Sequence, residues 1–308
     1  MRSTMMDFPL TIRHIFEHGR ALYGDSEVVT CEADGARRIE FRALADRAEQ
    51  LAASLRRLGV GPGDRVATFG WNNQEHQEAY FAIPCMGAVM HTLNIRLSVD
   101  QLRYIIGHAE DSVIIADASL APVLGPVLTE AKDEVKTVRH LVVYGDGDRS
   151  ALPEHLDYEE LLAAEKPGYS WPDIDERDAA AMCYTSGTTG LPKGVVYSHR
   201  SAFLHTLGVS SGEALAINQY DRVLPVVPMF HGNAWGIPYA ACWSAPTCCC
   251  RTGSRRRRRW PGSSRRSRPP WLRPCRRYGS TSSAWTRPAS ICPRCASSWP
   301  AGPPCRAA

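Results

Sequence analysis

Through residue 242 the apolar positions change period every ten to twenty residues, from helical spacing to strand spacing and back. Phe8, Ile12, Ile15, Phe16 and Leu22 predict a short amphipathic helix ahead of Gly24-Asp25. Residues 28–31 and 37–41 read as a strand pair around the turn Asp34-Gly35. Phe41, Leu44, Ala45, Ala48, Leu51, Ala52, Leu55 and Leu58 return to helical spacing, and Gly59 stops that helix. Strands are predicted at 65–69, 88–93, 113–116 and 141–143, and helices at 74–86, 120–131 and 158–165. Ser98 and Gln101 form a capping box that opens another helix, running to about His108. A polar connector at 167–178 leads to an apolar run, 179–183, then a helix at 198–208, a strand at 222–227 and a helix at 234–242. Short strands alternating with helices predict an α/β fold with a doubly wound, mostly parallel sheet.

At residue 243 this patterning stops. Beyond it Val, Met, Phe, Asn, Gln, His, Lys, Asp and Glu all vanish, and only Leu272 and Ile291 are aliphatic beyond alanine. The whole-chain charge of +4 averages two unlike parts, because residues 243–308 hold 15 arginines and no lysine or acidic residue. The remaining 21 basic and 32 acidic side chains, net −11, lie in residues 1–242, with no basic face for nucleic acid. Cys31, Cys85, Cys183 and Cys242 are scattered among mostly apolar neighbours and read as reduced thiols, while seven more cysteines lie in the tail. Neither a secretory leader nor a membrane-length apolar run stands out, so residues 1–242 read as a cytoplasmic protein.

The densest chemistry follows the run at 179–183. Tyr184-Thr185-Ser186-Gly187-Thr188-Thr189-Gly190-Leu191-Pro192-Lys193-Gly194 combines hydroxyls, glycines and a lysine behind a strand. Such a loop turns backbone N–H groups towards an anion, glycines admit phosphate oxygens closely, and the lysine adds a mobile charge. It is not a Walker A loop, since no Gly-Lys-Ser/Thr follows the first glycine at the required spacing. A plain Gly/Ser/Thr linker is the bland alternative, but a linker has no need of a lysine after a proline. His91, His108 and His140 are isolated and lack metal-ligand spacing, which makes them surface or core histidines. Trp71 follows a strand, where ligand loops often sit, although packing explains it better.

This stretch resembles the phosphate-loop signature of the AMP-forming acyl-CoA synthetases, the adenylate-forming ligases. Val195-Val196-Tyr197-Ser198-His199-Arg200 and Pro228-Met229-Phe230-His231-Gly232-Asn233-Ala234-Trp235-Gly236 agree with it. Gly70-Trp71-Asn72-Asn73 and Met86-Gly87-Ala88-Val89-Met90-His91-Thr92-Leu93-Asn94 add likeness to the medium- and long-chain fatty acyl-CoA ligases. The resemblance spans residues 8–242 and implies an incomplete N-terminal adenylation domain at 1–242 with a disordered tail at 243–308. It implies a fatty acid activated by ATP to acyl-AMP and pyrophosphate, then passed to coenzyme A. Thr185, Ser186, Gly187, Thr188, Thr189, Gly190 and Lys193 would wrap the ATP phosphates, with Thr185 also near Mg2+. His231 is the implied catalytic residue and, with Gly232 and Trp235, would line the acyl site. The bland alternatives are a strand-end histidine capping a backbone group and a core tryptophan. A homodimer is implied as well, with no nucleic-acid partner.

Three readings compete for the tail: an arginine run at 255–259 that binds nucleic acid, cysteine clusters at 248–250 and 292–295 that bind metal, or a GC-rich gene read out of frame. The genetic code favours the last. If one nucleotide was lost near codon 243, each original codon is the third base of one residue plus two bases of the next. Across Cys248-Cys249-Cys250 this forces two leucines, and residues 243–253 allow Val-Gly-Ala-Asp-Leu-Leu-Leu-Pro-Asp-Arg, which resembles what the acyl-CoA ligases carry there. A break at that point precedes the family's Gly-Tyr/Trp-Gly-x-Thr-Glu motif, its ribose-binding aspartate, its hinge and the C-terminal domain with the adenylation lysine. The expected chain is therefore an impaired ligase, the alternative being a non-catalytic nucleotide-binding remnant or a nucleic-acid-binding fusion.

Overall fold

The computed structural model describes residues 1, 3–32, 35–130, 132–185, 191–244 and 247–251. Ser186, Gly187, Thr188, Thr189 and Gly190 lie outside the described residues, as do the arginine run and every cysteine after Cys250.

Helix α1 (Ile12–Tyr23) starts four residues later than its apolar spacing suggests, because Phe8 and Pro9 precede the extended Thr11 that begins the helix. It leads to β1 (Glu27–Cys31) and β2 (Ala36–Glu40), an antiparallel pair, and to α2 (Phe41–Arg57), whose buried stripe is the predicted one. The chain then alternates through β3 (Arg65–Phe69), α3 (Gln74–Cys85), β4 (Val89–Thr92), α4 (Val99–Ala109) and β5 (Asp111–Asp117). After α5 (Ala121–Thr129) come β6 (His140–Tyr144), the short β7 (Leu156–Asp157) and α6 (Tyr158–Ala163). The connector delivers β8 (Ala179–Thr185), which pairs antiparallel with β9 (Lys193–Ser198), followed by α7 (His199–Ser210). Last come β10 (Arg222–Val223), α8 (Ile237–Ser244) and β11 (Thr247–Arg251).

Two sheets result. The larger runs β7-β6-β5-β3-β4-β8-β9 and is parallel except for β9, while the smaller runs β10-β11-β1-β2. This is the expected α/β architecture. Consecutive strands β3, β4 and β5 lie with β3 between the other two, so the strand order reverses at β3.

Helix α3 passes through the interior, with Gln74, Glu75, His76, Gln77 and Glu78 all buried. A helix so polar is tolerable only if its groups find partners. Arg37 meets Glu75 at 2.7 Å, Arg47 meets Glu78 at 2.6 Å, and Tyr158 Oη donates to Glu78 at 2.6 Å. Burial pushes Glu75 up to about 6 even so, with Glu78 adding to the push and Arg37 opposing it.

The fold passes the boundary expected at 242. Helix α8 reaches Ser244, and the Trp243 ring stacks on His18 at 4.1 Å and meets Phe203 edge-on at 5.8 Å. β11 then sits between β1 and β10 in parallel, pairing Val28 with Cys248 and Val29 with Cys249. Expected disorder from 243 therefore does not extend over 247–251. The physical reason is size and polarity: Cys248, 2% exposed, is a small apolar residue that fits an interior strand.

Candidate phosphate-loop site

The hairpin β8–β9 brings the two described ends of the expected phosphate loop together, because Thr185 and Lys193 are cross-strand partners. Both are exposed, while Pro192 beside Lys193 is buried. A hydroxyl and a cation thus stand side by side where an anion could approach. The stem beneath is fastened by Tyr184, whose Oη lies 2.6 Å from His108 Nδ1 on α4. Burial, with Asp111 adding to it, pushes Tyr184 up to about 12, so the phenol stays protonated. Gly194 packs closely here: a Cβ would stand 3.2 Å from the Tyr184 ring, which would have to give by a few tenths of an ångström. Under the same ring, fully buried His91 bonds Asp111 at 2.8 Å, and burial raises the Asp111 carboxyl. His91 and His108 therefore serve the stem.

The second expected part comes to the same edge of the large sheet. Thr92, the last residue of β4, is in register with Cys183 of β8 and donates to Asn233 Oδ1 at 3.2 Å. That bond ties the turn after His231 to the strand that feeds the loop. Asn72, in the turn after β3, donates to the Pro225 and Val227 carbonyls at 3.0 and 3.1 Å and accepts from the Met229 N–H at 2.7 Å. Tyr80 Oη donates to the Met229 carbonyl at 2.5 Å. His76, on α3, holds the Gly70–Asn73 turn: its Nδ1 lies 3.0 Å from the Trp71 carbonyl, which can only accept, leaving Nε2 to accept from Thr68 Oγ1. Burial drives His76 down to about 4, so it stays neutral. Trp71 itself packs against the core and donates to Ser119 Oγ at 3.1 Å.

His231 and Trp235 are exposed, and the turn between them is wound left-handed. Gly232, Asn233, Ala234, Trp235 and Gly236 have φ of 52°, 46°, 50°, 55° and 68°. Glycine takes this conformation freely and asparagine tolerably, but alanine and tryptophan pay about 1–2 kcal/mol each. Such strain is kept where surroundings over-determine it, commonly at ligand sites. Trp235 is 57% exposed, so it is not a core tryptophan. Asn72, Thr92 and Asn233 were not singled out from sequence; the only sign of them was the company of other asparagines and glycines in the two matching strings.

Thr92 and Thr185 end β4 and β8, and Asn72 follows β3, so this part of the site gathers at the carboxyl ends of strands beside the point where strand order reverses, which is where open α/β sheets bind ligands. A recess of about 360 Å3 lined by Asp133, Lys136, Arg139, His140 and Glu154 lies elsewhere, next to the start of β6.

A profile of the AMP-binding enzyme family matches residues 16–272, running 30 residues past the expected break. A long-chain-fatty-acid–CoA ligase of Thermus thermophilus is 49% identical over 240 residues, covering 78% of this chain and 42% of that protein. A medium-chain-fatty-acid–CoA ligase of Ectopseudomonas oleovorans is 42% identical over 245 residues, with 78% and 44% covered. The crystal structure of the anthranilate CoA ligase AuaEII with anthranoyl-AMP superposes with a TM-score of 0.71 at 21% identity, over 82% of this chain and 47% of that one. The chain thus spans less than half the length of the relatives it matches. With the hairpin, the strand order and the profile in agreement, this chain belongs to the AMP-binding enzyme family.

Proposed function

We propose that this chain carries the phosphate-binding part of an AMP-forming fatty acid–CoA ligase. One observation carries the reading: Thr185 and Lys193 face one another across an antiparallel hairpin whose loop has the family signature. In this reading Lys193 and Thr185, with Ser186, Gly187, Thr188, Thr189 and Gly190, hold the ATP phosphates during attack by a fatty carboxylate. Displacement at phosphorus asks mainly for positioning and charge stabilisation, which such a loop supplies. The fatty acid itself is drawn from the printed activities of the two relatives, and coenzyme A takes the acyl group in the second half-reaction. His231, Gly232 and Trp235 line the acyl side, since the strained turn presents His231 and Trp235 to solvent next to the hairpin.

For Mg2+ the fit is partial but sound. The Thr185 hydroxyl is one hard oxygen of the type Mg2+ prefers, and no cluster of three or more His, Cys, Asp or Glu side chains gathers among the described residues. Thr185 would thus be a single ligand to an ion carried in largely by phosphate oxygens, where it neutralises phosphate charge.

The division into an adenylation part at 1–242 and an out-of-frame tail at 243–308 belongs to the same proposal. The family profile's reach to 272 weighs against a break as early as 243, and the arginine-only charge of the tail weighs for it. The slot occupied by Cys248 and Cys249 adds support, because β11 is an inner strand where the shifted frame reads leucine. The intact enzyme is proposed to be cytoplasmic and homodimeric; no helix among the described residues is long and apolar enough to cross a membrane.

The experiment is to sequence the locus, restore one nucleotide near codon 243 and compare the products. The 308-residue chain should form no acyl-CoA, and the restored protein should exchange pyrophosphate into ATP. In the restored protein Lys193→Ala and Thr185→Ala should each slow exchange by about 2–4 kcal/mol in transition-state terms while fatty-acid binding persists. Unchanged exchange in both variants would remove the loop from the chemistry, and an early stop in the restored frame would remove the frameshift.

A further inference from the structure

The recess beside the start of β6 lies at the opposite end of the large sheet from the phosphate loop. β6 begins there with His140, whereas Thr185 ends β8, and the strands from β6 to β8 across that sheet run parallel. The deeper lining of the recess is apolar: Leu128 from the end of α5, with Val135 and Leu141, all buried. Its exposed lining is charged, with Asp133, Lys136, Arg139 and Glu154 around a half-buried His140. At about 360 Å3 it falls within the range of small-molecule clefts, about 300–1,000 Å3.

These charges are not used by the protein itself. Among the described residues the side chains of Asp133, Lys136, His140 and Glu154 have no hydrogen-bond or ion-pair partner. Arg139 is held only through Nη2, 3.5 Å from Asp64 Oδ2 and 3.4 Å from the Gly59 carbonyl, which leaves its Nε and Nη1 donors over. Elsewhere on the surface opposite charges do pair, as in Arg38 with Glu27 at 2.6 Å, Arg103 with Glu130 at 2.7 Å and Arg149 with Asp157 at 2.8 Å. Two cations and two carboxylates that line one recess without joining set a condition on its occupant. A simple anion or a simple cation gains from one pair and is repelled by the other. A dipolar molecule gains from both, and the apolar interior suits a short hydrocarbon body.

We infer that this recess binds a small amphipathic zwitterion, of the chemical class of an apolar α-amino acid. Lys136 and Arg139 meet its carboxylate, Asp133 and Glu154 meet its ammonium, and Leu128, Val135 and Leu141 cover its side chain. The site stands apart from the proposed ligase chemistry, since none of these residues belongs to the phosphate loop or to the His231 turn.

The test is equilibrium dialysis of the full 308-residue chain against three probes of one shape: L-leucine, 4-methylpentanoate, which lacks the ammonium, and 3-methylbutylamine, which lacks the carboxylate. Saturable binding of one L-leucine per chain is expected, with each single-charge probe weaker by about tenfold or more. Lys136→Ala should weaken L-leucine and 4-methylpentanoate by a similar factor and leave the amine no weaker. Glu154→Gln should weaken L-leucine and the amine and leave 4-methylpentanoate no weaker. Glu213→Gln, exposed beyond α7, should change nothing. Circular dichroism on each variant checks folding, and Lys136→Gln and Glu154→Ala serve if the first pair fails to fold. Absence of saturable L-leucine binding, a single-charge probe that binds as well as L-leucine, or binding indifferent to either substitution would each overturn the inference. Loss of L-leucine binding in Lys193→Ala would overturn it too, by placing the ligand at the phosphate loop.

Discussion

Two regions of this molecule share one sheet system and differ in how well they are closed. Between β1 and β8 the strands are flanked by helices whose apolar stripes are covered, and even on the polar helix α3 the buried Glu75 and Glu78 meet Arg37 and Arg47. From β9 onward several residues of the same kinds face outward, although Phe203, Met229, Phe230 and most of α8 are covered. The contrast is one of partners rather than of sequence character. Val195, Val196, Leu224 and Val226 are as apolar as Val66, Ile114 and Val142, yet the second set is fully buried and the first is not. An apolar pattern states what a strand requires, and only the rest of the polypeptide supplies it.

The sharpest way to break the contrast is to truncate one residue from each side. Leu44 on α2 is fully buried in the core against α1 and α3. Leu44→Ala should lower unfolding stability by about 2–5 kcal/mol, the transfer loss plus the cavity left behind. Val226→Ala should change it by about 0.5 kcal/mol or less in this chain, because little area is uncovered. Denaturant titration of both variants is the measurement, and equal losses would show that the Val226 side is covered after all.

Much of the closed region was legible in the sequence. The Ser98 capping box, the α2 stripe and the strands β3 to β6 follow from local periodicity and from caps that act within a few residues. Limits were missed where local signals are weak. Apolar spacing alone starts α1 at Phe8, carries no sign of the two-residue β7, and starts α8 at Ala234, because the left-handed turn over 232–236 has no periodic signature. Thr185 and Lys193 were legible because a strand, a loop and a lysine lie in one stretch. Asn72, Thr92 and Asn233 were not, since their bonds join residues 141 to 157 positions apart. Likewise β11 was read as tail, because cysteines carry no strand pattern until Val28 and Val223 are seen beside them.

Acid separates the regions in a second way. His76 is neutral in the folded protein down to about 4, whereas the unfolded side chain protonates near its ordinary value of 6.5. As pH falls through that window the unfolded state takes up a proton that the folded state refuses, so stability is lost from 6.5 towards 4. Glu75 works oppositely: raised to about 6, it holds its proton longer when folded, so the stability it contributes below 4.5 is lost as pH rises through 6. His76→Gln keeps a donor and an acceptor and removes only the first effect. The stability gap between pH 7 and pH 4 should shrink by up to about 3 kcal/mol, read by thermal melts across pH. A gap unchanged by the substitution would mean that the Gly70–Asn73 turn opens before His76 is charged.

A smaller effect, of the opposite sign, is expected in the open region. Trp235 holds a left-handed backbone with φ of 55° while its ring is 57% exposed, so it carries strain with little packing in return. Glycine adopts that conformation without the Cβ clash, although it also gives the unfolded chain more freedom. The first effect is about 1–2 kcal/mol and the second about 0.5–1 kcal/mol, so Trp235→Gly should stabilise this chain by about 1 kcal/mol or less. In the frame-restored protein the same substitution should alter the profile of acyl chain lengths accepted if Trp235 lines the acyl side, as proposed above. A loss of several degrees in melting temperature, with the acyl profile untouched, would make Trp235 a packing residue and would close part of the surface described as open.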